Sequence, residues 1–404
     1  MNKKIVGGCV AAAVLAETVL LLDYKDKYET VSRYVIQNEA KEQSVSVSAN
    51  EMFDTARKVE QVVEDHYLYD IDTKTMKDGL LTGMLWGLGD PYAAYYDAED
   101  YEAMTIKSTG EYSGVGAVIT LQEDGTVVVV KVYPDSPSAD AGIKAGDVFY
   151  EIDGVNVVGE DSATIAARLK GEADTEVEVN MYRPDIDEYI PFSLIRKKIE
   201  IPSVSWRMAE DGIGVMKIET WDLATVNQFY EGMQELSDDG MKGLVIDVRD
   251  NLGGIVQASV DITDYFVPDG GRIVYTVNKN QEEEVYPAQD GMDSDIPLVV
   301  LINEHSASAS EIFAGAIKDY EAGTLIGETT YGKGIVQQVY AIDEAEAVKL
   351  TIAEYYLPNG ECIHKKGVEP DIKASLSEEA AMKTELPQEE DAQLQKAFEF
   401  LRAE

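Results

Sequence analysis

Three serines stand at 306, 308 and 310 in NEHSASASEIFAGAIKD (303–319), with His305 just before them. Histidine, serine and acid in one stretch suggest a hydrolase triad in which His305 activates a serine. Ser308 should lie near a helix N-terminus, where free N–H groups favour developing negative charge. Serine is equally at home there as a plain helix cap. A second stretch, ETTYGKGIVQQ (328–338), sets Lys333 between two glycines. A lysine can act as general base if burial lowers its pKa from about 10.4 by roughly three units, at a cost of about 4 kcal/mol. Serine–lysine pairs are an established nucleophilic device, although a lysine in a turn is ordinarily just solvated. A third stretch, DVRDNLGGIV (247–256), ends an apolar run in Arg249-Asp250-Asn251 and a glycine pair. Such a pair can aim backbone N–H groups at a ligand, or simply make a strand-to-helix turn.

The elements that must position these residues can be read from periodicity. MKGLVIDVR (241–249) and PLVVLIN (297–303) are continuous apolar runs, as in strands buried on both faces, and TLIGE adds a short third. Residues 308–320 carry Ile312, Phe313, Ala316, Ile317 and Tyr320 on one side of a helix. Strand–helix–strand order predicts an α/β core over 199–375. Ahead of it, 106–198 reads as a compact β-rich domain. TVVVVKVY (126–133) and TEVEVNMYR (175–183) are its strands and SATIAARL (162–169) its short helix. Residues 48–105 form a helical module. It has a possible capping box at Ser48–Glu51, Met52, Ala56, Val59, Val63 and Tyr67 at helical spacing, and a second helix through Leu80, Leu81, Met84, Leu85 and Leu88. Residues 376–404 end in an amphipathic helix bearing Leu394, Ala397, Phe398 and Leu401.

Taken together and in order, the three stretches resemble the signature of the C-terminal processing peptidases, or tail-specific proteases, over about residues 51–372. That signature runs Asp-x-Arg-x-Asn-x-Gly-Gly, then Ser-Ala-Ser-Glu, then Gly-Lys-Gly followed by glutamine. The resemblance implies Ser308 as nucleophile, Lys333 as base, Gln337 as support for the lysine, and the N–H groups of Gly254 and Ala309 as oxyanion donors. It leaves His305 at a variable position without a catalytic part, and Ser306 and Ser310 as structural or capping residues. Leu252 stands where the family usually has proline, and the tyrosine-rich segment after Pro91 lacks the family's usual serine. In an extended strand Lys333 and Gln337 share a face but lie about 13 Å apart, so direct contact needs a bend. The middle domain resembles a PDZ domain. EYSGVGAVI (111–119) matches its carboxylate-binding loop, where N–H groups around Ser113, Gly114, Val115 and Gly116 would receive a peptide terminus added as a β-strand. Arg168 is a candidate link between this domain and the active site. The implied fold is a multidomain α/β and β protein, with the PDZ domain inserted between the helical module and an α/β serine-peptidase core.

Composition bounds the partners. The 404 residues carry a net charge of −42, which repels phosphate backbones and makes nucleic acid an unsuitable partner. Cys9 and Cys362 are far apart, and His66, His305 and His364 show no metal-ligand spacing, so neither a disulfide, a metal nor a cofactor is expected. Lys3 and Lys4 precede the apolar run Ile5–Leu22, broken only by Glu17. Eighteen helical residues reach about 27 Å, close to a hydrocarbon core. Residues 1–22 are expected to be a membrane anchor, or else a cleaved signal, and 23–47 a linker. Either way the bulk of the chain would work on the extracytoplasmic side of a bacterial cell membrane. The apolar faces of the helical module and of the C-terminal helix suggest a homodimer. Two readings follow: a serine endopeptidase that recognises C-terminal tails through its PDZ domain, or a non-catalytic, membrane-anchored PDZ scaffold. A trypsin-like PDZ protease lacks its Gly-Asp/Asn-Ser-Gly-Gly motif here.

Overall fold

A computed structural model describes residues 49–289, 294, 296–383 and 386–403. The expected anchor, the linker and Ser48 lie outside the described residues. No helix among the described residues is long and apolar enough to cross a membrane. The chain forms two compact units, one of residues up to 102 together with 335–353, the other of 103–334 together with 354–404.

Both helices of the module are present. Helix α1 spans Ala49–His66 and α2 spans Thr73–Trp86, the latter capped by Asp72, whose side chain accepts from the Lys74 and Thr75 N–H groups. Their apolar stripe is exposed: Val59, Val62, Leu80 and Trp86 all face solvent, and Leu68 beyond α1 is 82% exposed. Strand β1 (Ala94–Tyr96) follows, then α3 (Ala98–Thr109).

The middle domain begins at β2 (Glu111–Gly114), followed by β3 (Ala117–Leu121), β4 (Val127–Val132), the short α4 (Pro137–Ala141), β5 (Val148–Ile152) and β6 (Val155–Asn156). Helix α5 (Ser162–Leu169), β7 (Glu176–Arg183), β8 (Glu188–Ile195) and β9 (Lys197–Glu200) complete it. The sheet order is β3-β4-β5-β7-β8, with β2 paired to β9 separately. Its core is Val129, Phe149, Ile152, Ile165, Val179, Met181 and their neighbours.

The larger core holds β10 (Val204–Met208), β11 (Ile213–Ile218), α6 (Leu223–Asp238), β12 (Gly243–Asp247), α7 (Val256–Thr263), the hairpin β13 (Arg272–Asn278) and β14 (Glu283–Pro287), β15 (Leu298–Ile302), α8 (Ala309–Asp319) and β16 (Thr324–Gly327). The chain then gives β17 (Ile335–Ala341) and β18 (Ala347–Tyr356). Most of that ribbon belongs to the first unit, where β1 pairs antiparallel with β18 and Lys77 pairs with Glu346. Strand β19 (Ile372–Lys373), α9 (Glu378–Ala381) and α10 (Ala392–Leu401) close the sequence. The main sheet runs β10-β11-β12-β15-β16-β19, parallel except for the β10–β11 pair. Every residue of β12 and β15 is buried, which is why both read as unbroken apolar runs.

Register aligns Val215, Val245 and Val299 across one face of that sheet. Leu394, Ala397 and Phe398 of α10 pack against this row. The apolar stripe of α10 is therefore covered by its own sheet and offers nothing to a second copy, so that half of the dimerisation argument falls away. Arg249, just past β12, holds α10 in place. Its guanidinium donates to Asp247 (2.6 and 2.9 Å), Asp391 (2.7 and 3.0 Å) and Gln393 (2.7 Å). Asp391 also caps α10 through the Leu394 N–H. Arg249→Leu would leave two nearly buried carboxylates facing each other, a change that costs about 3 kcal/mol or more. The core should then unfold at lower denaturant, and limited proteolysis should cut near 376–391. Wild-type resistance at that segment would show that α10 does not depend on the arginine.

Candidate active site

Ser308 is the residue before α8, at φ 55° and ψ −114°. A non-glycine residue at positive φ is strained and persists only where its surroundings over-determine it. What holds it is Glu311, one turn into α8 and fully buried. The Glu311 carboxylate accepts four hydrogen bonds. Oε2 takes the N–H groups of Ser308 and Lys333, each at 2.8 Å, while Oε1 takes the Gly332 N–H at 2.7 Å and the Thr330 hydroxyl at 2.6 Å. The Ser308 and Lys333 nitrogens thus lie no farther apart than twice their shared distance to one oxygen. Burial pushes the Glu311 carboxyl above its ordinary range, and the four donors oppose that rise. The Thr330 hydroxyl oxygen accepts in turn from the Val368 N–H at 2.7 Å.

The glycines beside Lys333 follow from crowding. A Cβ on Gly332 would meet the Lys366 and Gly367 nitrogens at 2.9 and 3.0 Å, and one on Gly334 the His364 nitrogen at 2.6 Å. Tyr355, 1% exposed, adds a second clamp, its N–H donating to the Gly334 carbonyl (3.0 Å) and its hydroxyl to the Ser308 carbonyl (3.2 Å). Burial holds the Tyr355 hydroxyl far above its usual pKa, so it stays a donor.

The second loop comes to the same place. A Cβ on Gly253 would lie 2.7 Å from both the Ala307 carbonyl oxygen and Ser308 Cβ, and one on Gly254 only 2.0 Å from the Trp221 carbonyl oxygen. Only glycine allows both approaches. The Trp221–Gly254 bridge uses the N–H groups of Trp221 and Ile255, so that of Gly254 takes no part in it. Buried Asn251 shapes the turn: its Oδ1 accepts from Gly253 N–H (2.9 Å), its Nδ2 donates to the Ile218 carbonyl (2.8 Å), and its carbonyl accepts from Ala307 N–H (3.0 Å). Ser310 and Ser306 are structural. Ser310 donates to the Asn251 carbonyl and accepts from Trp221 Nε1, and Ser306 donates to the Val248 carbonyl.

The remaining residues singled out in the sequence lie elsewhere. His305 is exposed, with its ring 3.9 Å from the Glu304 carboxylate. Gln337 belongs to the first unit, on β17, where its amide reaches the Ile335 carbonyl and the Thr351 hydroxyl at 3.4 Å. In the middle domain, Ser113 and Gly114 pair with Lys198 and Lys197 of β9, while Val115 and Gly116 are buried. Arg168 donates to Glu160 of its own domain at 3.1 and 3.2 Å. The sequence reading quoted Asn251 and Glu311 within its motifs without giving either a role, and it passed over Tyr355. For Glu311 the signal was present, since Ser308-x-x-Glu311 is the spacing of a capping box.

Comparison with known proteins places this geometry in context. Residues 212–374 match the model of peptidase family S41, 128–183 that of a PDZ domain, and 12–100 that of the activating protease CtpB N-terminal domain. The carboxy-terminal processing protease CtpA of Bacillus subtilis (strain 168) is 31% identical over 340 residues, 84% of this chain and 72% of that protein. CtpB of the same organism is 29% identical over 383 residues, 92% and 78% of the two chains. A solved structure, the photosystem II D1 C-terminal processing protease, is 31% identical with a TM-score of 0.45, covering 79% of this chain and 86% of that one.

Glu311→Gln tests the carboxylate clamp. An amide would turn its NH2 toward N–H groups that now donate, leaving buried donors unsatisfied at about 1–3 kcal/mol each. Amide hydrogen exchange at 308 and 332–333 should rise at least tenfold and the unfolding midpoint should fall. Unchanged exchange at these amides would show that the carboxylate does not hold the loops.

Proposed function

Since the chain belongs to the serine peptidases of family S41, among the carboxy-terminal processing proteases, we propose that it cleaves protein substrates with a Ser308–Lys333 dyad after capturing their C-terminal tails in its PDZ domain. One observation carries the dyad: a single buried carboxylate oxygen accepts both the Ser308 and the Lys333 N–H.

In this reading the neutral Lys333 amine removes the proton from Ser308 Oγ as that oxygen attacks the scissile carbonyl. The tetrahedral oxyanion forms where the Gly254 and Ala309 N–H groups and the α8 N-terminus favour negative charge. The protonated lysine then delivers its proton to the leaving amine. Water, activated by the same lysine, hydrolyses the acyl-enzyme. Gln337 would support Lys333 once the two meet, and Arg168 would exchange Glu160 for a contact with the core when a tail is bound. Tail capture is supported by β3, an edge strand bordering an apolar groove and open to addition of a peptide strand. The reading places the enzyme on the extracytoplasmic side of the membrane, held by residues 1–22, as a dimer joined through the exposed stripes of α1 and α2.

The dyad is tested on an unstructured protein with an apolar C-terminal tail. Ser308→Ala and Lys333→Ala should each lose at least about 10³-fold in kcat/KM, and to a similar degree, because the pair acts as a unit. His305→Ala should stay within a fewfold of wild type. A dead His305→Ala beside an active Lys333→Ala would overturn the mechanism. Assembly is tested by sedimentation of residues 49–404. A dimer at tens of micromolar is expected, reduced to monomer by Leu80→Glu with Trp86→Glu, and a wild-type monomer would defeat the proposed interface.

A further inference from the structure

Two apolar side chains stand out of buried backbone on either side of Ser308. Leu252 is 56% exposed although Asn251 before it and Gly253 after it are buried. Tyr331 is 58% exposed between buried Thr330 and Gly332. One exposed leucine or tyrosine is ordinary. A pair that flanks a nucleophile is not, and its placement follows from one peptide group. The Ala307 N–H donates to the Asn251 carbonyl, and the Ser306 carbonyl accepts from the Tyr331 N–H, each at 3.0 Å. That N–H and that carbonyl belong to the same trans peptide bond, so they point in opposite directions. The Leu252 loop and the Tyr331 loop therefore lie on opposite sides of the chain entering Ser308. Both loops also reach the nucleophile itself. A Cβ on Gly253 would lie 2.7 Å from Ser308 Cβ, and the Ser308 and Lys333 N–H groups share one Glu311 oxygen.

We propose that Leu252 and Tyr331 are specificity-determining residues that bracket the scissile bond, Leu252 against the side chain on its acyl side and Tyr331 against the side chain on its leaving-amine side. The inference rests on the reading of Ser308 and Lys333 as the dyad. The assignment of sides follows from the chemistry. As Ser308 Oγ bonds to the carbonyl carbon, the carbonyl oxygen turns toward the oxyanion donors at the Gly253–Gly254 loop, which carries Leu252. The C–N bond then breaks, and the leaving nitrogen takes its proton from Lys333, whose loop carries Tyr331. A peptide lying across the nucleophile thus has its acyl residue nearer Leu252 and its amine residue nearer Tyr331. Each contact removes apolar surface of both partners from water, which favours apolar residues at the cut. Neither side chain belongs to the hydrogen bonds that hold Ser308, so either can be changed without dismantling the site.

The test uses the full-length chain and a library of unstructured polypeptides that share one apolar C-terminal tail and vary internally, with the cut sites read by mass spectrometry. Wild type should cut between apolar residues. Leu252→Ala should weaken the apolar preference on the acyl side about tenfold, the low end for an apolar contact in a specificity pocket, and leave the amine side unchanged. Tyr331→Ala should do the reverse. Leu252→Met and Tyr331→Phe should keep the wild-type profile. Leu252→Arg should admit acidic residues on the acyl side, a gain that a misfolded variant could not show. A uniform loss of rate at every cut site, with the profile unmoved, would make the two residues merely structural and overturn the proposal, as would a shift on the opposite side of the bond. If wild type does not cut, or Ser308→Ala cuts as well as wild type, the peptidase reading itself fails and the two subsites fall with it.

Discussion

A single buried carboxylate organises this site. Glu311 gathers the backbone before α8 and the loop of Lys333, segments separated by more than twenty residues of chain, onto two oxygen atoms. Removing an unpaired carboxylate from water costs several kcal/mol. Four donors to a charged acceptor, at about 1.5–3 kcal/mol each, are of the same order. Burial is nonetheless the largest influence on the group, which is why its carboxyl lies above the ordinary range. The strained backbone of Ser308 persists because its own N–H and the donors of the 330–333 loop converge on this one buried carboxylate.

The same logic recurs at the end of the neighbouring strand, β12. Arg249 is surrounded by Asp247 and Asp391, all three nearly buried. Burial works against the charged guanidinium, while the two carboxylates raise its pKa well beyond the usual arginine value. In a chain of net charge −42, carboxylates are abundant and positive partners scarce. Placing an arginine between two acids joins the end of β12 to the start of α10. It thereby seats the last helix on the sheet whose loops form the site.

The middle domain leaves one strand edge unpaired within its own sheet. The free edge of β3 offers backbone partners to an incoming strand, a liability in most proteins. Here the edge borders a groove partly lined by the chain's own α3 and Tyr112. Helix α3 leads directly into Gly110, where a Cβ would lie 2.5 Å from the Asp222 carboxylate that caps α6. The segment just after α3 is thus in close contact with the capped end of α6.

Much of this was legible from residue order. Full burial on both faces made β12 and β15 read as unbroken apolar runs, and the stripe on α8 appeared at helical spacing because its inward face is continuous. The three motifs could be found because each is short and contiguous. Each stretch alone reads equally well as an ordinary cap or turn, and only their order along the chain points to the peptidase family to which the chain belongs. What the sequence could not supply were relations between segments remote along the chain. Nothing local says that Glu311 serves Lys333, that Asn251 orders the turn at Gly253, or that α10 spends its apolar face on the strands bearing Val215, Val245 and Val299. Periodicity reports whether a face is buried, because burial repeats along one element. It does not report what buries it, because that partner is chosen by register and chain path, which exist only after the fold has closed.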